Sequence, residues 1–140
     1  LVGGVATLTK STLPVGVRSI RAAYNGDANF NTSTSPIVNT TVDKATTTTA
    51  LSSAPNPSTV GQTVSLTATV TVVAPGGGTP AGTVSFFDGA TLLGTGTLSG
   101  GVATFSTSAL TAGSHALTAA YGGSSAYTAS TSPVDTHTVM

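Results

Sequence analysis

Two histidines, four aspartates and a large excess of hydroxyl side chains are the residues here that could do chemistry. Hydrolysis of the serine type needs a nucleophilic hydroxyl, an imidazole base and a carboxylate that orients it. His115 lies in an alternating stretch and His137 lies near the C-terminus. Thr and Ser make up a third of the chain, so a nearby serine discriminates nothing. The chain also repeats itself at an offset of 97 residues, and there Arg18 stands in the place of His115 and Thr40 in the place of His137. Chemistry shared by two copies would keep its base in both. We therefore read both histidines as strand-end or surface residues, assign no catalytic residue and expect no enzyme.

The carboxylates Asp27, Asp43, Asp88 and Asp135 raise the question of a cation. Calcium takes 6–8 oxygen ligands, several of them carboxylates. The Asp27, Asn29, Asn31 spacing faintly resembles a calcium loop, and Asp43 falls near the joint between copies. The second copy, however, reads Ser124, Ala126 and Thr128 at the loop positions, which favours an ordinary polar loop. No metal-ligating or cofactor-binding residue is assigned, and no cofactor is expected. The absence of Cys removes disulfides, thiolates and the common zinc ligands. Gly76-Gly77-Gly78 has no following Lys or helix, so it reads as a hairpin tip and not a phosphate loop. Asn31-Thr32-Ser33 and Asn39-Thr40-Thr41 match the N-glycosylation acceptor pattern, but the other copy has neither. Some surface sandwiches carry a Lys–Asn cross-link; residues 46–140 contain no Lys and cannot form one.

Net charge is zero, so the chain offers no electrostatic grip on nucleic acid. Lys10, Arg18, Arg21 and Lys44 all lie within the first 45 residues. Charged residues are 6% of the chain, against about 25% in ordinary domains. With abundant Val and Thr, this composition favours strands that carry hydroxyls on the wet face. No apolar run reaches the length of a membrane span.

The elements that must position these residues follow from periodicity. Val64 to Val72 alternates apolar and hydroxyl residues, which puts Val64, Leu66, Ala68, Val70 and Val72 on one face of a strand. Thr83 to Asp88 follows a Pro- and Gly-rich turn, with Val84 and Phe86 inward. Asp88-Gly89 signals a tight turn into a short, Gly-interrupted edge strand, Thr91 to Thr97. Val102 to Thr107 carries Ala103 and Phe105 as its core pair. His115, Leu117, Ala119 and Tyr121 share a face, and Pro133 opens a last strand ending at Val139. A first strand, Ala45 to Ser53, is closed by Pro55-Asn56-Pro57, which suits a sheet edge. Seven short strands with regular turn signals predict an all-β, immunoglobulin-like antiparallel β-sandwich.

The repeat sets the domain organisation. Residues 1–43 align with 98–140 without a gap, and 19 of 43 positions are identical. Residues 46–140 read as one complete repeat, and residues 1–45 as the C-terminal half of another. That half carries about three strands, near Gly4–Thr9, Val17–Tyr24 and Ile37–Val42, with Leu8, Ile20, Ala22 and Tyr24 inward. Three strands without a second layer bury too little to offset backbone entropy of roughly 1–2 kcal/mol per residue. The half is expected to be completed by another chain or by upstream sequence.

Ser58-Thr59-Val60-Gly61-Gln62-Thr63-Val64, Gly82-Thr83-Val84-Ser85-Phe86-Phe87-Asp88-Gly89, Gly100-Gly101-Val102-Ala103-Thr104 and Leu110-Thr111-Ala112-Gly113-Ser114-His115 together resemble the bacterial Ig-like repeat family. Tyr24-Asn25-Gly26-Asp27-Ala28-Asn29-Phe30 is similar to its final loop; residues 121–127 depart from it. The resemblance implies a tandem repeat of a secreted or surface-anchored protein, with no common enzymatic activity. The expectation is a structural extracellular module of a stalk or filament, whose partners are neighbouring copies of itself, head to tail and polymeric. A short joint at Thr41 to Thr46, free of Gly and Pro, favours a stiff rod. The competing reading is an adhesin or carbohydrate-binding module with a cell-surface or glycan ligand, served by Phe30, Phe87 and Tyr127. The expected core is Val64, Leu66, Val70, Val84, Phe86, Phe105, Leu117 and Tyr121. Truncating Phe86 to Ala should cost about 3–5 kcal/mol in a denaturation experiment, and a loss below about 1 kcal/mol would misplace its strand.

Overall fold

A computed structural model describes residues 1–140 and contains strands, turns and no helix. Two compact units divide the chain, Leu1–Asp43 and Lys44–Met140.

The first unit contains β1 (Gly16–Ile20), β2 (Ala23–Tyr24), β3 (Ser33–Thr34) and β4 (Val38–Val42). β1 pairs antiparallel with β4, Arg18 opposite Thr40, and β2 pairs with β3, Tyr24 opposite Ser33. No strand forms over Gly4–Thr9; only a bridge between Val2 and Val5 is present there. The expected strand Val17–Tyr24 is interrupted at Arg21 and Ala22. Both departures have one cause. The corresponding segments of the second unit are ladders with neighbours on the far side, and in the first unit those neighbours are missing.

The second unit contains β5 (Thr47–Ala54), β6 (Val64–Val72), β7 (Thr83–Asp88), β8 (Thr91–Thr97), β9 (Val102–Thr107), β10 (Gly113–Tyr121), β11 (Ser130–Thr131) and β12 (Asp135–Val139). One sheet runs β5-β6-β9. The other runs β11-β10-β7-β8, with β12 also paired to β10. β8 is an edge, as its glycines suggested. These sheets form the two layers of an Ig-like β-sandwich.

Alternation decides which side chains enter the core. Along β6, Val64, Leu66, Ala68 and Val70 are buried, while the hydroxyl residues between them face outward. Val84 and Phe86 of β7 and Leu117, Ala119 and Tyr121 of β10 supply the opposite wall. Each buried Val, Leu or Phe contributes about 1.5–3 kcal/mol relative to its exposed state. The Phe86 ring stacks on Phe105 from the other sheet, with centroids 5.8 Å apart and planes 21° from parallel. Phe105 is half-buried and packs against the core. Ala103 is buried and Val102 exposed, which fixes the phase of β9. Gly94 makes the stack possible, because a Cβ there would collide with the Phe105 ring.

Candidate functional site

The residues that could do chemistry fall into three separate arrangements. The first surrounds His137. Sequence reasoning placed this histidine at a strand end or on the surface, but it is fully buried. Its position on β12 alternates inward with Val139, and the strand lies beneath the Pro55–Ser58 segment. Nδ1 lies 2.9 Å from Ser53 Oγ, and Nε2 lies 2.9 Å from Ser58 Oγ. Ser53 also donates to the Asp135 carboxylate. Each hydroxyl has one proton, so the hydrogen-bond inventory assigns the rest. Ser53 gives its proton to Asp135 and accepts from Nδ1–H, and Ser58 Oγ is the hydrogen-bond partner of Nε2. A serine, an imidazole and a carboxylate in relay superficially suggest a hydrolase, yet Ser58 is 2% exposed and His137 is 0% exposed. No substrate atom can reach the pair. The network instead pins β5 and the Pro55–Ser58 segment to β12, and Asn56 adds two bonds, to Thr136 O and Thr138 N.

The second arrangement is at the end of β7. His115 Nδ1 lies 2.6 Å from Asp88 Oδ2, and Nε2 lies 2.7 Å from the Thr111 carbonyl. Both ring nitrogens face acceptors, a geometry that the imidazolium satisfies fully and the neutral ring only half. The Thr111 carbonyl first and the Asp88 carboxylate second raise the His115 pKa above its ordinary value, against a smaller opposing effect of burial. In the first unit Arg18 occupies the same register position and donates from Nε to Pro14 O at 3.0 Å and from its guanidinium to Val15 O. Pro14 corresponds to Thr111. The replacement of Arg by His thus preserves a role: a side-chain N–H donor that caps the carbonyl four residues earlier and closes the corner before the strand.

The third arrangement is the loop with calcium-like spacing. The Asp27 carboxylate accepts from the backbone N–H of Asn29 at 2.7 Å and of Phe30 at 2.9 Å. Ser124 does the same for Ala126 and Tyr127, each at 3.2 Å. Asp27 organises its own turn. Tyr121 is buried with its hydroxyl donating to Ala81 O at 2.7 Å, as a ring bonded to a loop should be. Tyr127, offered as a spare exposed aromatic, is half-buried and donates to Gly77 O at the hairpin tip. Phe30 is 67% exposed.

The surface feature that stands out is the open face of the first unit. Leu8 is 90% exposed and Ile20 is 43% exposed. Leu1, Ala6, Ala22, Tyr24 and Ser33 line a groove of about 440 Å³ in this unit. Sequence reasoning placed Leu8, Ile20, Ala22 and Tyr24 inward; Ala22 and Tyr24 line the groove, whereas no strand forms at Leu8. Sequence reasoning missed the His137 network, because its members are 84 residues apart and no local pattern joins Ser53 to His137.

A family model described as bacterial Ig-like domain (group 3) matches residues 1–43 and 51–140. No curated protein and no solved structure gives a significant match.

Proposed function

This chain belongs to the bacterial Ig-like domain family, group 3, and from that premise we propose that it is a structural module of an extracellular stalk or filament built from tandem repeats. Domains of this family are generally non-enzymatic, and they commonly occur in surface or extracellular proteins. The observation that carries the finer reading is the second copy of one hairpin within 140 residues. β1 and β4 pair Gly16 with Val42 and Ile20 with Val38; β10 and β12 pair Gly113 with Val139 and Leu117 with Asp135, the same register moved by 97. Equal beads in series make a spacer whose stability is a sum of bead and joint contributions. Only Asp43 to Thr46 separate β4 from β5, and this joint contains neither Gly nor Pro. The partners in this reading are neighbouring repeats, head to tail.

Electron microscopy of the native, surface-associated material tests the proposal. Linear arrays with a regular bead spacing are the expected image. Isolated particles carrying a single sandwich would overturn it.

A further inference from the structure

We propose that the Ser53–His137–Ser58 node is a shear lock, which holds residues 53–60 against β12 when the second unit is stretched between Lys44 and Met140. The tandem reading supplies the direction of pull, and the lock adds to it a force-resisting function lodged in one buried side chain.

The two segments run the same way. Ser58 forms a parallel bridge with Val139. Ser58 N donates to Thr138 O at 2.9 Å, Met140 N to Ser58 O at 2.8 Å and Val60 N to Met140 O at 3.1 Å. Upstream, Ala45 forms a second parallel bridge, with Tyr127. There Ala45 N donates to Ala126 O and Ala45 O accepts from Thr128 N, each at 2.9 Å. Residues 45–60 therefore follow residues 126–140 in one direction, from the layer of β5 across to the layer of β12.

Direction decides which bonds feel the force. Tension entering at Lys44 draws residues 45–60 toward their N-terminal end. Tension leaving at Met140 draws β12 toward its C-terminal end. Parallel segments drawn in these opposite senses slide, so the bonds between them are strained together. The same segments pulled apart from one end open like a fork, one bond after another. Forced unfolding is governed by the unfolding rate, and so by how many bonds must fail at once.

His137 is placed to oppose the slide. Its two ring nitrogens hold two serines of the moving segment, Ser53 and Ser58, each at 2.9 Å. Asn56, between those serines, bonds to Thr136 O at 3.0 Å and to Thr138 N at 3.1 Å. The ring is fully buried, so water is not at hand to take over a stretched bond. An apolar side chain here would tolerate a small slip, because hydrophobic contact has no preferred direction. A hydrogen bond weakens steeply once its angle or length leaves the optimum. The first unit shows that the strand forms without this device. In its equivalent hairpin Val38 and Thr40 stand at the positions of Asp135 and His137.

The test stretches the intact chain at constant force through cysteine handles, which a Cys-free sequence allows at chosen sites. Handles at Lys44→Cys and Met140→Cys shear the lock and leave residues 1–43 outside the path of the load. Handles at Thr63→Cys and Met140→Cys peel the same segments from one end. At equal force the sheared protein should survive about tenfold longer than the peeled one. His137→Val should shorten the sheared lifetime about tenfold and the peeled lifetime less than about threefold. Should His137→Val fail to fold, Ser58→Ala takes its place in the same two geometries. Equal lifetimes of the unsubstituted network in the two geometries overturn the proposal. So does a variant that shortens both lifetimes by the same factor, the signature of a residue that only stabilises the fold. Equal lifetimes beside regular arrays in the native material would sink the lock and leave the tandem stalk standing.

Discussion

Ile20 and Leu117 occupy the same place in two copies of one hairpin, yet Ile20 is 43% exposed and Leu117 is 0% exposed. Around them three features are shared: the register of the ladder, the serine that caps the crossing before Pro36 or Pro133, and the N–H donor that closes the corner. What differs is the second layer. Leu117 sits beneath the sheet of β5, β6 and β9, and its strand also has β7 along its free edge. The comparison teaches that turn chemistry and local pairing suffice to write half a sandwich, whereas its interior exists only when the other half is laid on top.

The largest effect should come from truncating the two matched residues. Leu117→Ala should cost about 2–5 kcal/mol in the urea-induced unfolding of the second unit, because the cavity forms in a filled core. Ile20→Ala should cost less than about 1 kcal/mol, because a partly solvated side chain leaves no closed cavity. Equal losses would mean that the two faces are equally covered in solution.

Ser58→Ala comes next. It removes the hydrogen-bond partner of His137 Nε2 and strands a buried polar atom, at a cost of about 1–3 kcal/mol. The first unit has Thr40 at that register position and no equivalent network, so the penalty belongs to the second unit alone. A loss near zero by thermal denaturation would show that water or a rotated hydroxyl replaces Ser58.

Ser132→Ala and Ser35→Ala remove the same hydrogen bond from a buried and an exposed site. The first should cost about 1–2 kcal/mol and the second a few tenths, since water can replace the exposed partner. Similar values in both would weaken the contrast drawn between the faces.

The smallest effect is a pH dependence. His115 has a raised pKa in the folded state, so its contribution is fully present below the unfolded value of about 6.5. It is lost as pH climbs through the higher folded value. Stability of the second unit should therefore decline modestly on going above about pH 6.5, and His115→Gln should flatten that slope. Arg18 stays charged throughout, so the corresponding corner of the first unit should show no such slope. A slope unchanged in His115→Gln would assign the titration to another group.

Much of this was legible in the residues. Alternation over Val64 to Val72, the Asp88-Gly89 turn and the Gly-interrupted edge strand located the elements, because a period of two has one reading in a half-buried strand. The internal repeat placed Ala22 and Tyr24 inward, where they line the groove, whereas the strand expected at Leu8 does not form. His137 was misjudged for a physical reason: its burial depends on Ser53 and Ser58, which reach it across the sandwich from 84 and 79 residues away. Breaks at Arg21 and Ala22 were likewise invisible, since whether a strand continues depends on a neighbour along its edge.

What the sequence determined by itself was therefore what local spacing governs: strand phase, turns and the equivalence of the two copies. What only the tertiary structure decided was which of those equivalent faces has an interior. Burial and buried hydrogen bonds are properties of the layer opposite, and no stretch of chain encodes its own cover.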